Sequence, residues 1–158
     1  MAAVTINIGI DAKGRTAVAD ALSAFLADTY ALYVKTQGFH WNVAGPNFAP
    51  LHEQFGLQYQ EFQKAIDVVA ERIRALGHSA PGSLTLFSRL SRIKDEAAVP
   101  KATAMIRQLV NDNEALSRAA RAVFDIAEKA KDDATADLMI ERIDIHDKNA
   151  WMLRVQLE

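Results

Sequence analysis

The chain contains no cysteine. Disulfides, thiolate metal sites and cysteine nucleophiles are therefore excluded. Proline and glycine are scarce, with 4 and 7 residues in 158. Ala, Leu, Glu, Gln, Arg and Lys are plentiful instead, a balance that favours helix. No strand-like alternation, internal repeat or low-complexity tract interrupts it. No unbroken apolar run approaches the roughly 20 residues that span a bilayer. The opening MAAVTINIGIDAKGR lacks the basic start and apolar stretch of a secretory signal. The expectation is a cytoplasmic protein with no membrane partner. A large excess of one charge is also missing. The formal net charge of -2 argues against a globally basic nucleic-acid binder.

What the chain does have is four long helical patterns. The first spans about Arg15 to Phe39, with Val18, Leu22, Phe25, Thr29 and Leu32 along one face. The second spans about Asn47 to Leu76. Its stripe of Phe48, Leu51, Phe55, Tyr59, Phe62, Ile66, Val69, Ile73 and Leu76 advances by three or four residues at every step, and Gly77 follows as a stop. The third spans about Val99 to Lys129, with Pro100 in its first turn and Ile106, Leu109, Asn113, Leu116, Ala120, Val123 and Ala127 inward. The fourth spans about Ala134 to Leu157, with Met139, Ile143, Ala150 and Leu153 inward. The links around 42–46 and 131–133 are short, whereas 78–98 is long enough to carry a small helix at about Leu84 to Leu90. Two short loops and one long crossover predict an all-α, ferritin-like four-helix bundle over 15–158, preceded by a tail at 1–14.

Four residues stand out as metal ligands: His40, His52, Asp67 and Glu71. Asp67 and Glu71 are four apart, so their carboxylates share a helix face. His52 and Asp67 are fifteen apart on the same predicted helix, roughly 22 Å at 1.5 Å per residue. Metal bonds to nitrogen and oxygen donors are only about 2 Å long. One ion bound by all four residues would therefore need two chains, with antiparallel second helices crossing at a two-fold axis. Taken singly, each residue has an ordinary structural reading: a hydrogen-bonded His, or a solvated pair of acids. His146 falls in the inward register as a core or interface residue, and His78 sits in a loop. The Glu-x-x-His pairs of an intrachain di-iron site are absent, as is the HExxH zinc motif.

The run Lys35-Thr36-Gln37-Gly38-Phe39-His40-Trp41-Asn42-Val43-Ala44-Gly45-Pro46-Asn47-Phe48, continuing to Leu51-His52, resembles the signature of Dps proteins (DNA-binding proteins from starved cells). Asp67-Val68-Val69-Ala70-Glu71-Arg72 is similar to that family's D-x-x-A-E-R, and the segment from Asp132 through His146 to Leu153 is similar to its last helix. The resemblance covers the chain from about Asp20. It implies a dodecameric mini-ferritin shell that oxidises Fe(II) to Fe(III), preferentially with hydrogen peroxide rather than dioxygen. The reaction would occur at two-fold interfaces and the mineral would be stored inside, protecting DNA from oxidative damage. His40, His52, Asp67 and Glu71 match the family's iron ligands, and Trp41 matches an aromatic beside the site. The same donors also suit other divalent ions, Zn(II) and Mn(II) among them.

One departure is visible. Many family members carry an acidic residue four positions after the second His, where this chain has Gly56. The second iron would then bind weakly, or Glu53 or Gln60 would compensate. Asp132, Asp133 and Asp137 match an acidic iron-entry pore, and equally the N-terminal turn of a helix, whose dipole favours carboxylates. Direct DNA binding has little basis beyond Lys13 and Arg15 near the N-terminus. The alternative is a structural, DNA-compacting shell with a weak or vestigial metal site.

Overall fold

The structure is a computed structural model that describes residues 5–158. The Asp11 carboxylate accepts the Gly14 N–H at 2.6 Å, satisfying one of the orphan donors of a helix start. Helix α1 therefore begins at Ala12 and continues to Asn42, longer at both ends than expected. Helix α2, Phe48–Ala75, ends in a Schellman pair, with the Gly77 N–H bonded to Arg74 and the His78 N–H to Ile73. Gly77 has φ 90, a left-handed conformation that glycine adopts freely. The short helix α3, Leu84–Leu90, is capped by Ser83 and packs on α1 through a stacked Tyr30–Phe87 pair.

Helix α4 runs Ala102–Lys129 and α5 runs Asp133–Arg154. Two local expectations are corrected. Pro100 lies outside α4, because the chain stays extended through Lys101, the N-cap residue. The last turn, Val155–Leu157, is 3₁₀ rather than α.

Cross-helix pairs fix the topology. Gln54 meets Gln156, Glu61 meets Arg142, and Arg72 meets Asp132 and Thr135, so α2 and α5 are antiparallel. Lys35 meets Asp112 near the middle of α1, while Gly14 lies against Ala130, so α1 and α4 are antiparallel as well. The crossover between α2 and α4 is anchored to α1 by buried Asp28. That carboxylate accepts the Arg92 backbone N–H at 2.6 Å and the guanidinium at 2.5 and 3.0 Å. This is the ferritin-like bundle with one long crossover. It consists of helices alone among the described residues.

The predicted stripes form the core. Leu22, Phe25, Phe55, Phe62, Ile73, Leu109 and Leu116 are fully buried, each contributing about 1.5–3 kcal/mol from the apolar area removed from water. Phe48 is the exception: it is 45% exposed at the start of α2 and lies against the His52 ring. By length and composition α1 is apolar enough to cross a bilayer, although Asp20 and Asp28 interrupt its apolar run. Its Val18, Leu22, Phe25, Leu26 and Leu32 are instead buried against the other helices.

His146 is completely buried between Phe25 and Phe62. Asn113 gives its Nδ2 to the Leu109 carbonyl, so its Oδ1 accepts the His146 Nδ1–H at 2.9 Å. Nε2 is left unprotonated and without a partner among the described residues. Burial, aided by the positive charge of Arg142, pushes the imidazole well below its ordinary pKa. The folded state then resists a proton that the unfolded chain accepts near pH 6.5. Stability from this group is present above that pH and is lost as pH falls toward the folded value, by up to about 1.4 kcal/mol per pH unit. The melting temperature should drop between pH 7 and 5, and His146→Gln should flatten that slope. Equal slopes in both proteins would assign the acid sensitivity elsewhere.

Candidate metal centre

The turn 43–47 folds the end of α1 against the start of α2. Gly45 sits there at φ 111, and its carbonyl accepts the Phe48 N–H. His40 and His52 are thereby brought face to face, with ring centroids 3.8 Å apart and planes 20° from parallel. Each ring donates to the other's backbone. His40 Nδ1 lies 2.6 Å from the His52 carbonyl, and His52 Nδ1 lies 2.8 Å from the His40 carbonyl. A carbonyl only accepts, so both Nδ1 atoms carry a proton, and in the neutral rings the lone pair is on Nε2. A hydrogen bond at one imidazole nitrogen that fixes the tautomer and aims the other is the arrangement metal-binding histidines use. The His40 carbonyl lies in the last turn of α1, where it has no helical partner, so the same contact completes the helix end.

Gly56 has a steric role that the sequence did not reveal. A Cβ added there would sit 3.1 Å from His40 Cε1 and 3.2 Å from Nδ1. The His40 ring therefore lies close against the α2 backbone at Gly56, and a side chain there would require the imidazole to give by a few tenths of an ångström. Tyr59, one turn further, meets that ring edge-on, with centroids 5.2 Å apart. The spacing of His52, Gly56 and Tyr59 places them on one helix face, which is the part of this arrangement that the sequence carries.

Asp67 and Glu71 are exposed on α2, in no hydrogen bond or ion pair among the described residues. They share one uninterrupted helix with His52, so the separation of roughly 22 Å applies. Among the described residues, no three His, Asp or Glu side chains converge within one chain. The structure thus pairs the two histidines and leaves the two carboxylates apart from them. Trp41, beside His40, is 66% exposed.

The acidic trio divides. Asp132 is 1% exposed and caps α5. Its Oδ1 accepts Arg72 Nη2 at 2.5 Å and the Thr135 N–H at 3.0 Å, and its Oδ2 accepts the Thr135 hydroxyl at 2.6 Å. Its charge is matched inside the subunit. Asp133 and Asp137 face solvent. The His78 ring contacts the Thr16 hydroxyl at 3.4 Å.

Comparison with known proteins agrees with this architecture. The family described as Ferritin-like domain matches residues 19–158. A relative from Brevibacillus brevis named DNA protection during starvation protein is 39% identical over 142 residues, covering 89% of this chain and 95% of its own. A low temperature-induced protein of Nostoc sp. is 40% identical over 155 residues, covering 97% and 87%. Among solved structures, the Dps protein from Vibrio cholerae O1, described as a member of a broad superfamily of ferritin-like diiron-carboxylate proteins, superposes with a TM-score of 0.94. It is 30% identical, and the match covers 100% of this chain and 99% of that one. The Dps protein from Bacillus brevis superposes with a TM-score of 0.89 at 36% identity, covering 92% and 98%. The chain is thus a ferritin-like protein. Within that class it belongs to the Dps family.

The packing at Gly56 predicts a cost in metal binding. Gly56→Ala favours the helix by about 1 kcal/mol, yet it pushes on His40. Zn(II) titrated into the variant by calorimetry should bind several-fold more weakly than to the wild type, with little loss of thermal stability. Unchanged affinity would mean that the ring does not need the glycine.

Proposed function

We propose that this protein is a ferroxidase and iron store. Fe(II) is its substrate, bound between two copies of the chain, and the ferric product is kept within a dodecameric shell. The observation that carries this reading is the His40–His52 pair across the α1/α2 turn, its His52 on the same helix, α2, as two unpaired carboxylates that cannot reach it. A two-fold axis between antiparallel α2 helices would place His40 and His52 of one chain against Asp67 and Glu71 of the other. Two neutral imidazoles and two carboxylates suit Fe(II). The anionic oxygens favour Fe(III) more strongly than Fe(II), so they assist loss of the electron. Hydrogen peroxide is the proposed preferred oxidant, with dioxygen as the slower one. Removing Fe(II) and peroxide together would protect DNA in the cytoplasm. Trp41 is proposed to lie beside the assembled site. Asp133 and Asp137, facing solvent, are proposed to line the cation entry path, where clustered negative charge raises local cation concentration. Asp132 would support that path by holding the start of α5.

The test uses two inactive variants. Fe(II) is loaded anaerobically, peroxide is added, and ferric absorbance is followed. Asp67→Ala/Glu71→Ala and His40→Ala/His52→Ala shells should each oxidise iron slowly while remaining assembled by size-exclusion chromatography. Co-refolding the two in equal amounts should restore activity. Random pairing gives half mixed dimers with one complete site of two, or about a quarter of the wild-type sites. No recovery on mixing would rule out a site shared between chains, and full activity in either variant alone would remove those residues from the chemistry.

One observation favours a second reading, a DNA-compacting shell. Lys13, Lys129 and Lys131 line one open groove of about 580 Å³ where α1 begins and α4 ends. A shell repeats that patch, so weak phosphate contacts add up. Plasmid retardation that persists at physiological salt and disappears in a Lys13→Ala/Lys129→Ala/Lys131→Ala variant would establish it. Free migration of the plasmid would leave storage as the function.

A further inference from the structure

The face of α2 that carries Asp67 and Glu71 also carries a cation. Lys64 lies three residues before Asp67 and seven before Glu71, spacings that line the three up along one side of the helix. All three are exposed. Glu61, the acid one turn before Lys64, is spent on Arg142 through both of its oxygens. Lys64 is in no ion pair among the described residues. On a single helix a lysine that precedes its acid is in the weaker orientation. Asp67 therefore holds the ammonium loosely, and its flexible four-carbon stem leaves it able to reach a neighbouring chain.

The register of two crossing α2 helices says where it reaches. Under the ferroxidase reading, on which this inference rests, an antiparallel mate brings its residues 67–71 to His52. Four residues further along, Gly56 then faces residues 63–67 of the mate, and Lys64 is among them. Gly56 supplies no carboxylate, and the His40 ring lies close against the backbone there, 3.1 Å from the position of a Cβ. Two polar residues flank Gly56 on that face. Gln60 carries no charge, and Glu53 faces residues 66–70 of the mate, past Lys64.

We propose that Lys64 of one chain takes the place of a second metal ion beside His40 and His52 of its mate, and so holds each centre to one ion. Charge decides this. Two neutral imidazoles and two carboxylates balance one divalent ion. A second divalent ion next to the first needs further anionic oxygens to offset their repulsion. An acid at position 56 would bring them. Here an ammonium arrives instead and adds its own positive charge to that of the bound ion, so another cation is repelled. The ammonium is a compact charge with three donors, and it bonds carboxylate oxygen lone pairs that the single ion leaves unused. It neutralises and orients the acids as a second ion would, but it can be neither oxidised nor released.

The test counts ions with Zn(II), which has no redox chemistry. Zn(II) is titrated by calorimetry into the assembled shell, and sites that vanish in His40→Ala/His52→Ala are assigned to the centre. The wild type should show one such site per subunit. Lys64→Glu puts a carboxylate in place of the ammonium and should show two. Lys64→Met keeps the length without the charge, and should bind the second ion about tenfold more tightly than the wild type does. Anomalous scattering from Zn(II)-soaked crystals should place the added ion beside Gly56. If Lys64→Glu does not assemble by size-exclusion chromatography, Lys64→Met carries the test. Two sites per subunit in the wild type overturn the proposal. One site in the wild type and in every assembled Lys64 variant, with no gain in affinity for a second ion, overturns it while leaving the shared centre intact. Equal Zn(II) binding in wild type and His40→Ala/His52→Ala overturns the ferroxidase reading as well.

Discussion

Two hydrogen bonds exchanged between His40 and His52 tie the end of α1 to the start of α2, and the candidate centre depends on them. Each imidazole spends one nitrogen on the opposite helix and leaves the other free. Were either ring to adopt the other tautomer, its Nδ1 lone pair would face a carbonyl lone pair, and the clamp would open. The helical connection and the ligand-ready state are therefore the same state. Gly45 permits the turn that brings the rings together, and Gly56 permits their approach to the α2 backbone.

The rest of α2 is held with comparable firmness. Contacts to α5 and its two ends recur along its length, from Gln54 with Gln156 in the 3₁₀ turn, through Glu61 with Arg142, to Arg72 with the N-cap Asp132. The Arg142 and Asp132 side chains in these pairs are nearly inaccessible. Such buried pairs gain little over apolar packing, but losing one partner leaves an uncompensated charge worth about 3–5 kcal/mol. They fix the register between α2 and α5 and keep α2 one continuous rod.

Much of this was legible in sequence. Apolar periodicity specified the four long helices and the crossover, including Leu84–Leu90, because burying those stripes is what the bundle does. The ends were less legible. Helix α1 begins at Ala12 behind the Asp11 cap, three residues before the expected Arg15, and Lys131 follows α4 in a left-handed conformation, φ 58, that favours glycine. The identities of the candidate ligands were visible, as was the impossibility of joining His52 and Asp67 within one chain. The tautomers were not, because they depend on a contact across a turn. Gly56 reads in sequence as a lost carboxylate, and its close contact with the His40 ring is visible only in the structure. Asp132 looked like Asp133 and Asp137, and burial alone distinguishes them. Asn113 and His146 were each placed inward, yet their pairing required the relative rotation of α4 and α5.

The straightness of α2 has a consequence for timing in the cell. Imidazoles and carboxylates at opposite ends of a rigid rod cannot fold back on one another, so under the proposed reading a newly made subunit is chemically silent. Oxidising capacity then emerges with the second power of subunit concentration, not the first, because a complete centre exists only where two rods cross. Reaction and container come into being in a single event, and no free chain would turn over iron where the product has nowhere to go.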